Sequence, residues 1–456
     1  MDNLIIYELN EVPSKVLKKY IFDNPNSNFS KIYHEGIFKI TITKDSGELH
    51  PWSTWPTLHR GVPNYEHNIR FINQDLELAN KKYPPFWIEL ASAGIDVGIF
   101  GSLQSFPPIY GENFKFYLPD TFSPNEESFP NKIKDFQKFN LILTKRNKAI
   151  AGRFELDFLI MFFKLLINGT ISLNSFLIAI IHVFKEKFNS KYKKRRSLIQ
   201  PILGFDVFWK HFLKYNPKVT TFFTNHVAGM MHRYWADTFP EDFNLEPKDI
   251  NKFNSKSINK AMDISDNHLG KLIEFCDRNT STLLIMSSMG QESIDWGNYL
   301  SEIIISEKIK FIKSLKLSTD KYSFFPAMHP DIVFDCNSKE DLNQLIKIVT
   351  GLKDTEGNNL IKLKYDPVGL RVNFSLGRET KALNKNNKIY NSETRIFNFI
   401  DNYGLKIIKR DKGTAYHSNR GILLSYGNNA EHFNFENSEI IDTCKIKETI
   451  LSFFNI

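Results

Sequence analysis

The chain has 456 residues, 42% hydrophobic and 24% charged, with a formal net charge of +8. That is an ordinary globular balance, enough for one large α/β domain with insertions or for two domains. The mild basic excess suits an anionic substrate or an anionic membrane surface. Without zinc-finger spacing or an RNP-like aromatic motif, nothing points to nucleic acid. Cys276, Cys336 and Cys444 are odd in number, far apart and in no CxxC spacing. That argues against a disulfide framework and for a reducing compartment. No basic segment followed by a long apolar run opens the sequence, so a cytoplasmic location is expected.

In chain order, Leu4–Tyr7 is a short apolar run of the kind found in a buried parallel strand, and a helix is expected through Ser14–Leu17. A helix over Phe86–Ala91, a Gly94 cap and a strand Val97–Phe100 form a second unit. Strand Val219–Phe223 leads into a helix over Val227–Trp235, and a helix over Asn259–Asp277 precedes strand Leu283–Met286. This alternation predicts an α/β fold: a mostly parallel sheet sandwiched by helices. Ligands in such folds bind at the carboxyl ends of the strands, so the loops after Tyr7, Phe100, Phe223 and Met286 are the places to search.

Residues 125–215 interrupt the alternation, dividing the chain into a core of 1–124 and 216–456 and a helical insertion. Leu156–Ile167 and Leu173–Phe184 are apolar stretches of 12 residues around Asn168-Gly169-Thr170. They read as a helical hairpin, each arm short of the roughly 20 residues that span a bilayer. The basic run Lys191, Lys193, Lys194, Arg195 and Arg196 follows. The segment is either a cap subdomain packed on the sheet or, through 156–196, a peripheral membrane contact in which basic residues meet anionic headgroups. Further on, Leu300–Leu315 reads as a helix, and Ile332–Phe334 and Gly421–Ser425 as strands.

The most distinctive stretch is Ser53-Thr54-Trp55-Pro56-Thr57-Leu58-His59-Arg60-Gly61-Val62-Pro63, closing on His67-Asn68-Ile69. A hydroxyl residue stands before an x-Pro step, and a Gly-x-Pro turn and a His follow. Later come His232, in a run ending His-Arg-Tyr-Trp, then Ser287-Ser288-Met289-Gly290-Gln291, and His417 ahead of the Gly421 strand. In order and position these elements resemble the alkaline phosphatase superfamily, particularly its phosphodiesterase/nucleotide pyrophosphatase branch. The resemblance covers roughly residues 1–120, 218–295 and 405–430.

The resemblance implies an alkaline phosphatase-like fold and a site in which two metal ions, usually zinc, clamp the reacting oxygens while a Thr attacks phosphorus. Carried over, Thr54 takes the nucleophile position, with Thr57 its nearby competitor, and Gly61, Pro63 and His67 fit the following turn. His232 and His417 match two metal-binding imidazoles. Other positions depart. Asn10 stands at the first Asp and Glu11 at the Gly beside it, Ala228 at the second Asp, and Ser288 and Met289 at an Asp-His pair. A two-zinc centre is therefore not expected. The ligands that remain suit one divalent metal such as zinc on His232 and His417 with Glu8 or Glu11, or none.

Without metal, His59 or His226 could serve Thr54 as general base. Asn10, Glu11, Arg60 and Gln291 are the candidate substrate-binding groups, Asn10 and Gln291 with backbone N–H groups holding an anion. The expected function is a phosphoryl- or sulfuryl-group hydrolase or transferase with an altered or metal-poor site. Its partner would be an anionic small molecule or, by analogy, a glycan precursor. The alternative is a catalytically degenerate member that binds an anionic ligand or a protein partner.

Overall fold

The computed structural model describes residues 2–145, 156–295, 301–325, 327, 331–354, 356–364, 366–376, 388–393, 396–409, 413–435 and 438–456. They form two compact units. The first runs through Ile69, resumes from Asn73 to Ile294, and closes with Gly413 to Ile456. The second comprises Arg70–Ile72 and the described part of 295–412.

The first unit is built on an eight-stranded sheet. Its order is Ile440–Asp442, Ile37–Ile42, Arg420–Gly427, Ser281–Met286, Asn3–Leu9, Val219–Thr224, Val97–Phe100 and Phe114–Leu118. Arg420–Gly427 is antiparallel to both neighbours; every other pairing is parallel. Asn3–Leu9 is buried along its whole length, and its period of two divides it between two cores. Ile5, Tyr7 and Leu9 enter one core, with apolar residues of helices Ser14–Asp23, His226–Thr238 and Ser257–Asn279. Leu4 and Ile6 enter the other, against Trp55, Leu58, Phe86, Leu90 and Ile446. This is the sandwiched, mostly parallel α/β sheet expected from the sequence.

The described part of residues 125–215 lies within this first unit. Helices Lys134–Lys145, Leu156–Ile167, Leu173–Phe188 and Ile199–Tyr215 add Phe136, Phe162, Phe176 and Phe208 to the core that also holds Phe100 and Phe222 of the sheet.

The second unit closes around its own apolar core, which includes Phe311, Phe334, Leu345 and Phe374. Its largest sheet has the order Ile361–Leu363, Arg371–Leu376, Asp331–Cys336 and Tyr322–Phe325. The helix expected over Leu300–Leu315 is instead a strand, Ser301–Ile305, followed by a short helix, Lys308–Ser314. Three consecutive β-branched residues, Ile303, Ile304 and Ile305, favour the extended form, and the strand pairs antiparallel with Leu405–Lys409.

Thr54 lies on a helix, Pro51–Arg60. Pro51 suits its first turn, and Gly61 ends it at φ +70°. Pro56 inside the helix has no N–H to give the Trp52 carbonyl, and Gln104 Nε2 donates there instead at 3.3 Å.

Candidate functional site

Three strands of the sheet end side by side: Asn3–Leu9, Val219–Thr224 and Ser281–Met286. Ser287 Oγ donates to the Leu9 carbonyl at 2.5 Å and ties two of these ends together. Beyond Leu9 the chain turns sharply. Glu11 takes φ +61°, the left-handed region that glycine enters freely. In a non-glycine residue that costs about 1–2 kcal/mol, and such strain concentrates at functional positions. The turn aims a carboxylate, 2% exposed, at two imidazoles.

His232 comes from the helix His226–Thr238, and His417 from the strand Ala415–Ser418, which pairs with Gly290–Ser293. His232 Nε2 stands 3.2 Å and His417 Nε2 3.5 Å from the same oxygen, Glu11 Oε2. Each ring is fixed from behind. His232 Nδ1 donates to the Ala415 carbonyl at 3.0 Å, and His417 Nδ1 to the Leu49 carbonyl at 2.7 Å. Both Nε2 atoms are thereby turned toward the carboxylate, the arrangement in which a backbone carbonyl orients a metal-binding His. The ligand atoms of Glu11, His232 and His417 all lie within 4.8 Å of one another, and no other such group of three occurs among the described residues.

The remaining contacts hold Glu11. Gln291 Nε2 donates to Oε2 at 2.5 Å and to the Ala228 carbonyl at 3.2 Å. Asn10 Nδ2 donates to Glu11 Oε1 at 2.8 Å and to Asn225 Oδ1 at 2.7 Å. Burial pushes against the Glu11 charge, but His417, His232 and the Gln291 N–H outweigh it and hold the carboxyl at about 2. Burial would also lower His232, but the hydrogen bond to Glu11 raises it above its ordinary value. In His417 burial prevails over the Glu11 charge, and the value falls.

Thr54 is fully buried, and its Oγ1 is 2.8 Å from Ser288 Oγ, just beyond strand Ser281–Met286. The next residue links it to the cluster: Trp55 Nε1 donates to Asn10 Oδ1 at 2.7 Å, and Asn10 in turn donates to Glu11. Thr57 is engaged elsewhere, bonding Asp45 at 2.7 Å and His67 Nε2 at 2.9 Å. That chain fastens the turn after the helix.

Four sequence candidates point away from the cluster. Glu8 shares the face of Leu4 and Ile6, so its Oε1 meets His59 Nε2 at 2.7 Å, both residues at most 1% exposed. Glu8 is thus not the carboxylate that joins His232 and His417, and His59 is committed to Glu8 rather than to Thr54. His226 bonds Thr224 Oγ1 at 2.7 Å and the Ala261 carbonyl at 2.9 Å; burial lowers it to about 4. Arg60 is buried and donates to the Tyr83 carbonyl at 2.6 Å and Asn80 at 2.8 Å, which leaves its guanidinium facing protein.

The sequence reading missed the loop before Thr54. His50 stacks on Trp52 with ring centroids 4.3 Å apart and meets His417 edge-on at 5.6 Å. Tyr416 donates to Glu48. No spacing rule in 48–52 announces this; the strand register that brings residue 417 beside it does. Asn225, which anchors Asn10, was legible only as a polar residue just after a strand.

Fold and site together define a mostly parallel α/β sandwich with a His, His, carboxylate cluster and a Thr-bearing helix at the carboxyl ends of its strands. No family model matches the chain, and no curated protein matches it in sequence. Among solved structures, murine ectonucleotide pyrophosphatase/phosphodiesterase 5 is similar at 12% identity and TM-score 0.40, over 100% of this chain and 95% of that one. Its human counterpart gives 10%, 0.43, 100% and 95%. Phosphonoacetate hydrolase from Sinorhizobium meliloti 1021, solved with phosphonoformate, gives 10%, 0.41, 98% and 94%. Both kinds of protein belong to the alkaline phosphatase superfamily that the sequence resembles. At such identities and TM-scores the likeness assigns no function, which rests on this chain's own residues.

Proposed function

We propose that this chain is a phosphoryl- or sulfuryl-group hydrolase or transferase of the alkaline phosphatase kind, built around one divalent metal rather than two, with an anionic small molecule or glycan precursor as substrate. One observation carries the reading: two imidazole Nε2 atoms, each with its Nδ1 committed to a backbone carbonyl, converge on one buried carboxylate oxygen. Two imidazoles and a carboxylate are a donor set that zinc takes in catalytic sites. Gln291 Oε1, buried and without a hydrogen-bond partner, adds a polar atom on the residue that grips Glu11. Bound to Glu11, His232 and His417, the metal would supply Lewis-acid polarisation of a substrate oxygen.

The chain's own groups divide the remaining work. Thr54 is the candidate nucleophile, held by Ser288 and by the helix that Trp55 ties to Asn10. Asn10 and Gln291 fix the carboxylate. His232 is the most exposed of the three, with 32% of its side chain accessible against 9% for His417 and 3% for Glu11.

The test is elemental analysis of the purified protein, with turnover of bis-p-nitrophenyl phosphate by wild type, Thr54→Ala and His417→Ala. We expect about one zinc per chain, lost in His417→Ala, and turnover lost in both variants. Metal-free, inactive wild type would overturn the proposal.

A second reading has its own observation. Ser288 is too weakly basic to activate Thr54, and His59 and His226 are bonded elsewhere. Metal uptake without Thr54-dependent turnover would make the chain a binding member that holds an anionic ligand or a protein partner.

A further inference from the structure

The helical pair in the insertion is apolar on two sides. Its inner side is packed: Phe162, Leu165, Phe176 and Ala179 are buried in the core beneath the sheet. Its outer side carries a second stripe. On Leu156–Ile167 this is Ile160, Phe163 and Ile167, the last 82% exposed. On Leu173–Phe188 the stripe is Leu173, Leu177, Ile181, Phe184 and Phe188, at intervals of four, four, three and four, with Phe188 85% exposed. Those intervals keep all five on one helix face. Single exposed apolar residues need no explanation, but eight of them on two helices that touch through Phe162 and Phe176 mark an interaction surface.

Charge selects the partner. Lys185, Lys187, Lys191 and Lys193 are exposed at the Phe184 and Phe188 end of the stripe. Between residues 160 and 198 the one carboxylate, Glu186, is buried and ion-paired with Arg196. Arg195 also turns inward, to the Phe253 carbonyl and over the Phe253 ring. The basic segment is therefore split: its arginines hold it to the protein, while Lys185, Lys187, Lys191 and Lys193 stay exposed. Neither arm reaches the length of a bilayer span, and no described helix is long and apolar enough to cross a membrane.

We propose that this face is a monotopic docking surface for an anionic lipid membrane. The outer stripe of the two helices enters the interfacial layer, and the four lysines meet phosphate headgroups. A second copy of the chain is a poorer occupant, because it would oppose one set of like charges with another.

The test is co-sedimentation of the full chain with vesicles of phosphatidylcholine alone and of phosphatidylcholine with one third phosphatidylglycerol, at low and high salt. We expect binding to the anionic vesicles that weakens with salt. It should fall at least about ten-fold in the pair Phe184→Glu with Phe188→Glu, and comparably when the four lysines become glutamine. All six positions are exposed, so melting temperature and circular dichroism should be unchanged. No wild-type binding to anionic vesicles, or binding untouched by the Phe changes, would overturn the proposal. So would a concentration-dependent dimer that the Phe changes abolish while vesicles remain unbound, since that assigns the face to a second copy.

Discussion

The rings of His232 and His417 stand 5.2 Å apart and inclined at 70°, with both Nε2 atoms directed at Glu11 Oε2. Two imidazoles so placed, each with its other nitrogen satisfied, compete for protons and for metal through the same atoms. Glu11 raises His232, so protonation opposes metal uptake there first. Zinc affinity is therefore expected to fall as pH drops through and below neutrality. Saturating zinc should raise the melting temperature of wild type, by about 2.7 kcal/mol of stabilisation at a hundred-fold excess over Kd. Calorimetric titration at several pH values checks both.

The strain at Glu11 yields a separable outcome. Glu11→Gln keeps the left-handed backbone and removes the charge, whereas Glu11→Gly removes both strain and charge. Both should lose zinc binding. The Gly variant should recover about 1 kcal/mol relative to the Gln variant in urea melts. Equal stabilities would show that the turn is not strained.

Trp55 is the link between the Thr54 helix and the cluster. Trp55→Phe leaves Asn10 Oδ1 buried without its donor, and the indole volume partly empty. A loss of about 1–3 kcal/mol is expected. Turnover should drop while zinc content stays, because Glu11, His232 and His417 are not replaced. Loss of the metal in this variant would show that the Trp55 bond to Asn10 is needed to keep Glu11 in place.

Much of the fold was legible because the central strands are buried on both faces and read as unbroken apolar runs, as in Leu4–Tyr7 and Leu283–Met286. The two imidazoles of the cluster were legible through the resemblance, because His232 and His417 stand in the chain order where that family carries metal-binding histidines. The choice between Glu8 and Glu11 was not, because it depends on direction. Glu8 follows the strand alternation into the core, and Glu11 escapes it only through a positive φ that no local pattern announces. Arg60 illustrates another limit. On a helix it passes for an anion-binding residue, yet it is buried with both terminal nitrogens bonded to Tyr83 and Asn80. The 295–412 unit was legible only in part: Ile332–Phe334 reads as a strand and lies in Asp331–Cys336, whereas Ser301–Ile305 pairs far along the chain with Leu405–Lys409, a partner no local pattern announces.

His226 should govern part of the acid sensitivity. Its folded value, about 4, lies below the ordinary 6.5 because the neutral ring is buried. Between those values the unfolded chain binds a proton that the folded chain refuses. Stability is thus full above about 6.5 and falls as pH drops toward 4, by at most about 3 kcal/mol from this residue. His268, also lowered by burial, acts in the same direction. Urea midpoints from pH 7 to pH 4 should decline in wild type, and less steeply in His226→Gln. Parallel slopes would remove His226 from the account.

The Glu8 and His59 pair offers the sharpest separation of structural from catalytic roles. Glu8 Oε1 and His59 Nε2 meet at 2.7 Å, while Glu8 Oε2 and His59 Nδ1 have no hydrogen-bond partner. The His59 ring is walled by Trp55, Phe86 and Trp87. In such surroundings, removing one partner strands the other. Glu8→Leu and His59→Leu are each expected to cost about 3 kcal/mol or more, whereas the double variant should cost much less than their sum. If the pair only pins the Thr54 helix to the strand that leads to Glu11, the double variant should retain zinc binding and most turnover. Turnover abolished in a stable, zinc-loaded double variant would return His59 to the reaction as a proton carrier.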